Sequence, residues 1–240
     1  MSGATTKAVL AWLEKVGTKS ARDGMARYGI HAKHAYGVPM SLLMKKAKEI
    51  GRDQTLSLEL WDTGCYEARL LATMVGDPKK VTRAQMNAWA KGFENWADGD
   101  TACFKLFDRS PLAWDMVRPW AKAEREYTRR GAFALTASLA LHDKTASDAR
   151  FLDLLPVIEE GAADGRNFVK KGVNWALRGV GRRNAALFAA ATVVARRLSL
   201  SKEAAPRWVG KDALREFAKV KERVVKPKLA KKAPRSAKSV

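Results

Sequence analysis

The chain has 240 residues, which is enough for one sizeable domain. Its 45 lysines and arginines outnumber its 25 acidic residues, so the formal net charge is +20 at pH 7. Residues 219–240 hold nine basic residues and one acidic residue, a charge of +8, which leaves +12 on the first 218 residues. This excess favours a polyanionic partner, with a basic surface that serves only solubility as the alternative.

The two cysteines and the apolar segments indicate the cellular compartment of the protein. Cys65 and Cys103 form no C-x-x-C pair, which argues against a thiol-rich metal centre or a disulfide scaffold and is typical of a reducing cytoplasm. The N-terminus has no continuous apolar segment of the kind that a signal peptide needs. The longest apolar run, Ala185–Ala195, is about half of the roughly 20 residues of a membrane span. We therefore expect a cytoplasmic protein with no membrane partner.

Helical periodicity dominates the chain. In Glu59–Val75 the apolar residues recur at helical spacings, and Glu67 and Arg69 are predicted to face outward. Ala132–Leu141 and Ala185–Leu198 are alanine-rich, which is typical of helices buried between neighbours. No alternating stretch rich in Val, Ile and Thr predicts a strand, so the pattern predicts an all-α fold.

Short segments rich in Gly, Asp and Pro separate the predicted helices. They fall at Gly76–Pro78, Asp108–Pro111, Ala163–Gly165 and Gly181. Helices of about 10–20 residues joined by such short turns predict consecutive antiparallel pairs.

One five-residue pattern occurs twice. Tyr127–Gly131 (YTRRG) and Phe168–Gly172 (FVKKG) each combine an aromatic residue, a basic pair and a glycine, 41 residues apart. A period of about 40–47 residues is typical of two-helix HEAT-type repeats. Stacked repeats would project both basic pairs from one face as a positive stripe. We predict a HEAT-like helical-repeat solenoid with a concave basic surface.

The solenoid is predicted to occupy residues 1–225 and to be followed by a basic tail at 226–240. The tail has almost no large apolar side chains, so it cannot offset its ordering entropy and is predicted to be disordered. It is either a weak, non-specific tether to a polyanion or a solvated segment without function.

The chain contains little conventional catalytic equipment. It has no G-x-x-x-x-G-K-[ST] phosphate loop and no G-x-S-x-G nucleophile motif. His31 and His34 stand three residues apart without a third ligand nearby, so solvated histidines are favoured and no metal site is predicted. His142 ends an apolar helix, where we expect it to cap the helix dipole.

Four segments between about residues 25 and 200 share the motifs of one known family. In Ala84–Asp100, Trp96 stands four residues before Asp100, and Asp164–Arg178 ends in Trp-Ala-Leu-Arg. The other two are segment 127–134, which carries an arginine, and the helix pair within 60–72. In this order they resemble the AlkD-like family of DNA alkylation repair glycosylases, which act on alkylpurines.

The resemblance implies an enzyme that hydrolyses the N-glycosidic bond of cationic N3- or N7-alkylated purines in DNA, without flipping the base. Such a base is already a good leaving group, so the reaction needs stabilisation of the sugar cation and a positioned water, with no cofactor. Asp100 is the implied catalytic carboxylate, and Trp96 and Trp175 would flank the sugar. Contacts with DNA are expected from Arg130, Arg178, Lys170, Lys171, Arg129 and Tyr28.

Structural roles compete with these assignments. An Asp at a helix start is commonly an N-cap, and a Trp commonly fills a core, so Asp100, Trp96 and Trp175 have ordinary alternatives. The alternative functions are a non-catalytic HEAT-like module that binds branched or distorted DNA and a scaffold for protein partners. We expect a monomer, associated with the nucleoid when bound, whose partner is double-stranded DNA containing alkylated bases.

Overall fold

The computed structural model describes residues 3–225, and within them the chain is all-helical with no strand, as predicted. The predicted tail at 226–240 lies outside the described residues. Short 3-10 turns occur at Met25–Tyr28 and Phe107–Arg109. The α-helices are α1 (Thr6–Val16), α2 (Lys19–Gly24), α3 (Met40–Ile50), α4 (Gln54–Asp62), α5 (Tyr66–Val75), α6 (Arg83–Lys91), α7 (Trp96–Lys105), α8 (Ala113–Ala121), α9 (Glu126–His142), α10 (Asp148–Gly161), α11 (Asn167–Gly181), α12 (Ala185–Ser199) and α13 (Ala204–Val225).

The helices are arranged in two layers. In what we call the inner layer, α3, α5, α7, α9, α11 and α13 pack side by side in that order. The second layer contains α4, α8, α10 and α12, and each of these packs against the inner helix that follows it. This pairing along the chain is the predicted helical-repeat solenoid.

The sequence repeat corresponds to neighbouring inner helices. α9 begins at Glu126 and α11 begins at Asn167, the same 41-residue displacement as the motif. The repeat's glycine allows the two helices to approach closely, because a Cβ at Gly172 would lie 3.3 Å from Arg130 Cγ. The two basic pairs therefore occupy equivalent positions on adjacent helices.

Three of the four predicted breaks lie at turns between α-helices and the fourth, Gly181, is the last residue of α11, but the predicted burial is wrong for α12, Glu67 and Arg69. α12 buries only one face, whereas the sequence predicted a helix buried between neighbours, and Val193 on its other face is 49% exposed. Glu67 is buried rather than outward-facing. Its carboxylate accepts hydrogen bonds from the backbone N–H groups of residues 36–38 and so fastens that loop to α5.

Arg69 also turns inward, toward the start of α7. Its guanidinium lies 5.2 Å from the Trp61 ring and 3.2 Å from the Glu94 carboxylate. The periodicity of Glu59–Val75 belongs to two helices, α4 and α5, with the turn at Gly64 in the left-handed region. Among residues 3–225, no helix combines the length and apolarity needed to cross a bilayer.

Candidate functional site

The start of α7 sets the position of the site. Asn95 is the N-cap, and its side chain accepts hydrogen bonds from the backbone N–H groups of Ala97 and Asp98. Asp98 reciprocates by accepting from the backbone N–H of Asn95, which completes a capping box. The N-cap alternative for Asp100 is therefore wrong, because Asp100 stands in the second turn and another residue caps the helix.

Asp100 instead forms a two-pronged ion pair with the neighbouring inner helix. Arg130 Nε donates to Oδ1 at 2.8 Å, and Nη2 donates to Oδ2 at 2.7 Å. A third donor, Nη1, bonds the carbonyl of Phe168 on α11 at 2.7 Å. The side chains of Asp100 and Arg130 are only 15% and 9% exposed. The pair thus ties α7, α9 and α11 together at one point.

The surroundings of Asp100 have opposing effects on the pKa of its carboxyl. Burial raises the pKa of its carboxyl above the usual range, and the charge and hydrogen bonds of Arg130 oppose that shift. Both oxygens accept N–H donors, a geometry that fits the ionised carboxylate because a protonated acid would present a hydroxyl to one of them. The site therefore holds an ion pair, with one negative and one positive charge, in a largely desolvated position.

Trp96 lies one turn before Asp100 on the same face of α7. The Arg130 guanidinium carbon is 6.0 Å from the centroid of the indole ring. The indole Nε1 donates a 2.8 Å hydrogen bond to the carbonyl of Tyr28, 68 residues earlier in the chain. Tyr28 is 71% exposed, and this bond brings its backbone to the rim of the site.

Trp175 reaches the same surface from α11. It is half-buried, and its ring stacks on Phe104 with the centroids 6.2 Å apart and the planes at 21°. Phe104 follows Asp100 by one further turn of α7, so it lies on the same face of the helix and places Trp175 beside that face. Sequence reasoning missed Phe104, although its four-residue spacing from Asp100 was a usable signal.

His142 packs against Phe104. Its ring meets Phe104 edge-on with the centroids 4.4 Å apart, and its Nδ1 is bonded to the buried carboxylate of Asp108. His142 stands in the last turn of α9, where it was predicted to cap the helix dipole, and it also pairs with the carboxylate of Asp108.

The predicted basic stripe is not uniform. Consecutive residues point about 100° apart around a helix, so the two members of each pair diverge. Arg129 turns away to bond Asp164 at 3.1 Å and the Ala121 carbonyl at 2.8 Å. Lys170 places its Nζ 4.9 Å from the Trp208 ring. Lys171 stays exposed.

Arg178 shares a face of α11 with Lys171 and Trp175, at spacings of seven and three residues. One of its terminal nitrogens lies 3.9 Å from the Glu216 carboxylate, which Arg182 also contacts at 2.9 Å. Arg178 Nε is buried and has no hydrogen-bond partner among the described residues.

The two predicted solvated histidines lie in the loop before α3. His34 contacts the Tyr36 ring at a centroid distance of 5.4 Å. Within residues 3–225 there is no group of three or more His, Cys, Asp or Glu side chains arranged to hold a metal ion.

One known protein family matches most of the chain. The model of the DNA alkylation repair enzyme family matches residues 9–217. The chain belongs to the DNA alkylation repair enzyme family. The family predicted from the motifs is confirmed, and the match includes every residue of the site.

A solved structure shares the fold of this member of the family. It matches with a TM-score of 0.73 over 89% of this chain and 95% of its own, at 21% sequence identity. It is described as a new family of proteins related to the HEAT-like repeat DNA glycosylases, with affinity for branched DNA structures. The similarity confirms the predicted HEAT-like fold. No curated protein matches the chain.

Proposed function

We propose that the protein is a DNA glycosylase that releases cationic N3- or N7-alkylated purines from double-stranded DNA. The observation that carries this proposal is the buried carboxylate of Asp100, which Arg130 holds by two hydrogen bonds. It lies on the same face of α7 as Trp96 and Phe104, with Trp175 stacked on Phe104. A module that only binds phosphates does not need a carboxylate at a surface that faces DNA, although this pair also joins α7, α9 and α11.

The chemistry fits one carboxylate. An alkylated purine carries a formal positive charge, so it departs without prior protonation as the C1′–N bond breaks. Positive charge then develops on the sugar, where a preorganised anion stabilises it most effectively. The Asp100 carboxylate would also accept a proton from the attacking water as the new C1′–O bond forms.

Arg130 prepares the carboxylate for this role. Its hydrogen bonds to Asp100 and to the Phe168 carbonyl use three of the five N–H donors of a guanidinium. The two remaining donors are available to a phosphate of the lesion strand. One residue would then orient the carboxylate and fix the strand relative to it.

The aromatic rings would contact the sugar. Both Trp96 and Trp175 are partly exposed, and an aromatic face attracts a cation by about 0.5–2 kcal/mol. We propose that this contact takes place with the lesion base still in the stack. Lys171, Arg178 and Tyr28 would hold the flanking backbone.

One observation favours a second function. The solved structure that shares this fold is described as having affinity for branched DNA. A non-catalytic module for branched DNA would use the same inner layer without releasing a base. The presence of the Asp100–Arg130 pair favours the glycosylase.

Release of free base separates the two functions. The protein is incubated with a duplex containing one 7-methylguanine, and the released base is measured by chromatography. We expect release of 7-methylguanine and little release of uracil or hypoxanthine, because no acid stands ready to protonate a neutral leaving base. Intact 7-methylguanine after prolonged incubation with excess protein, or efficient uracil release, would contradict the proposal.

A further inference from the structure

The inner layer holds a second feature beyond the Asp100 site, a cavity of about 300 Å³ between the last turns of α3, α5 and α7. Four cationic side chains line it, namely Lys48, Arg52, Lys105 and Arg109. They come from the end of α3, the following residues, the end of α7 and the 3-10 turn after it. No acidic residue lines the cavity.

The cavity concentrates positive charge. A basic residue in a last turn is often explained by the helix dipole, which would account for Lys48 or Lys105 alone. Arg52 bonds the carbonyls at the end of α5, and Arg109 bonds the carbonyl of Lys105 at the end of α7. These bonds hold two of the cations in place, but they do not neutralise the four positive charges around one cavity, which repel one another. The acidic residue in the last turn of α3, Glu49, pairs with Lys46 instead. An anion in the cavity would relieve this repulsion.

Part of the cavity wall is apolar. Met44 on α3 and Met74 on α5 also line it, and Met44 is 48% exposed. Methionine side chains adapt to flat apolar partners. Cations beside an apolar wall match a nucleotide, which combines a phosphate with a flat base, better than they match a bare phosphate. The volume lies at the lower end of the range for small-molecule sites.

The cavity shares α7 with the Asp100 site. Lys105 and Asp100 are both on α7, five residues apart, which is about 7.5 Å along the helix axis. The cavity lies on the side of α7 that faces α5 and α3, so a strand that continues from Asp100 across these helices would pass it.

We propose that this cavity captures an unpaired nucleotide of a DNA strand, so that the protein distinguishes forked or flapped DNA from a continuous duplex. The proposal rests on the DNA-binding part of the proposed function and is independent of base release. In a continuous duplex the bases face their partners and each strand stays within the helix, so no nucleotide would enter the cavity between the four cations. At a fork, a strand separates from the duplex and its base can contact Met44 and Met74.

The test compares a forked and a continuous duplex of equal length by fluorescence anisotropy over a range of salt concentrations. The variant is Lys48→Ala/Lys105→Ala. Arg52 is left unchanged because it bonds the carbonyls at the end of α5, so its removal would also affect the fold. Single-stranded phosphate contacts contribute about 0.7 each to the salt slope, so the slope for the fork should fall by about 1.4. The slope for the continuous duplex should not change.

The matched control is Lys7→Ala/Lys15→Ala, which removes two exposed lysines from α1. It should leave the preference for the fork unchanged. Equal weakening of both DNAs by the cavity variant, or no difference from the control variant, would overturn the proposal. The Lys48→Ala/Lys105→Ala variant should still release 7-methylguanine from a continuous duplex at the wild-type rate. If the wild type releases none, the glycosylase proposal fails and the fork comparison still stands.

A second comparison tests the base. A fork whose unpaired strand carries abasic sites in place of thymidines should bind about threefold to tenfold more weakly, since a partly buried apolar contact is lost. Met44→Ser should produce the same loss with the thymidine fork and no further loss with the abasic fork. Equal affinity for the two forks would show that the cavity binds phosphate alone and would overturn the proposal.

Discussion

At the scale of single residues, the Asp100–Arg130 pair combines charge and structure. Asp100→Asn keeps the shape of the side chain but removes the negative charge, and its amide N–H group would face an Arg130 N–H donor. We expect excision of 7-methylguanine to fall by about a hundredfold or more, on the scale of losing one preorganised electrostatic group. DNA affinity should stay the same or rise, because repulsion of phosphates decreases.

The same substitution should cost about 1–3 kcal/mol of stability, since a buried arginine loses part of its bonding. Single-turnover excision at saturating protein, together with urea unfolding, separates the two effects. Asp115→Asn is a suitable control, because Asp115 pairs with Arg83 on an exposed surface and should affect neither measurement. Wild-type excision by Asp100→Asn would rule out the proposed chemistry.

Trp175 is half-buried, so its contribution to stability must be separated from its contribution to catalysis. We expect Trp175→Ala to lower excision further than the loss of folded protein explains, because the indole would no longer face the sugar. If Trp175 is only a core residue, its removal should cost about 3–5 kcal/mol, with excision unchanged per folded molecule.

Trp114→Ala provides the comparison for Trp175. Trp114 is also half-buried but lies on α8 in the second layer, where its indole bonds Asp143 at 3.0 Å. It should lose stability and keep wild-type excision per folded molecule. Identical behaviour of the two variants would count against a role for Trp175 in catalysis.

At the scale of elements, the N-terminus of α7 carries a titratable cap. Burial raises the pKa of the Asp98 carboxyl from 3.8 to about 6, and the backbone N–H groups of Glu94, Asn95 and Gly99 limit the rise. A folded-state pKa above the unfolded value means that Asp98 contributes stability below about pH 4. That contribution is lost as the pH rises through about 6, by up to roughly 3 kcal/mol.

Asp98→Asn removes this titration, so the wild type should lose stability relative to the variant between pH 4 and pH 7. Urea unfolding of both proteins at pH 4, 5, 6 and 7 measures the difference, and the constant effect of the changed cap cancels in the comparison. A difference that does not vary with pH would show that Asp98 does not titrate in this range.

The elements also show which features a sequence can reveal. Helix spacing, the 41-residue repeat and the four-residue step from Trp96 to Asp100 are local, so they predicted the solenoid and one face of α7. The bond between Asp100 and Arg130 joins residues 30 apart on different helices, and no local pattern encodes it. The burial of Glu67 depends in the same way on a loop that arrives from earlier in the chain.

At the scale of the whole molecule, the positive charge is divided between internal pairs and free surface. Arg129 and Arg182 are partly neutralised by Asp164 and Glu216, while Lys171 is exposed and the cavity cations line a surface without acidic residues. The protein therefore does not present all of its net charge to DNA. The number of phosphate contacts is set by the cations that stay available on the inner layer.

The salt dependence of DNA binding measures that number. With about six phosphate contacts, the slope of log affinity against log salt should be near −5.4, and affinity should fall by about a thousandfold between 50 and 200 mM salt. Anisotropy titrations on an undamaged continuous duplex over this range give the slope directly. Lys171→Ala should reduce its magnitude by about one contact, whereas Lys7→Ala on α1 should leave it unchanged. A slope near zero would contradict any nucleic-acid role, because affinity without counterion release cannot come from phosphate contacts.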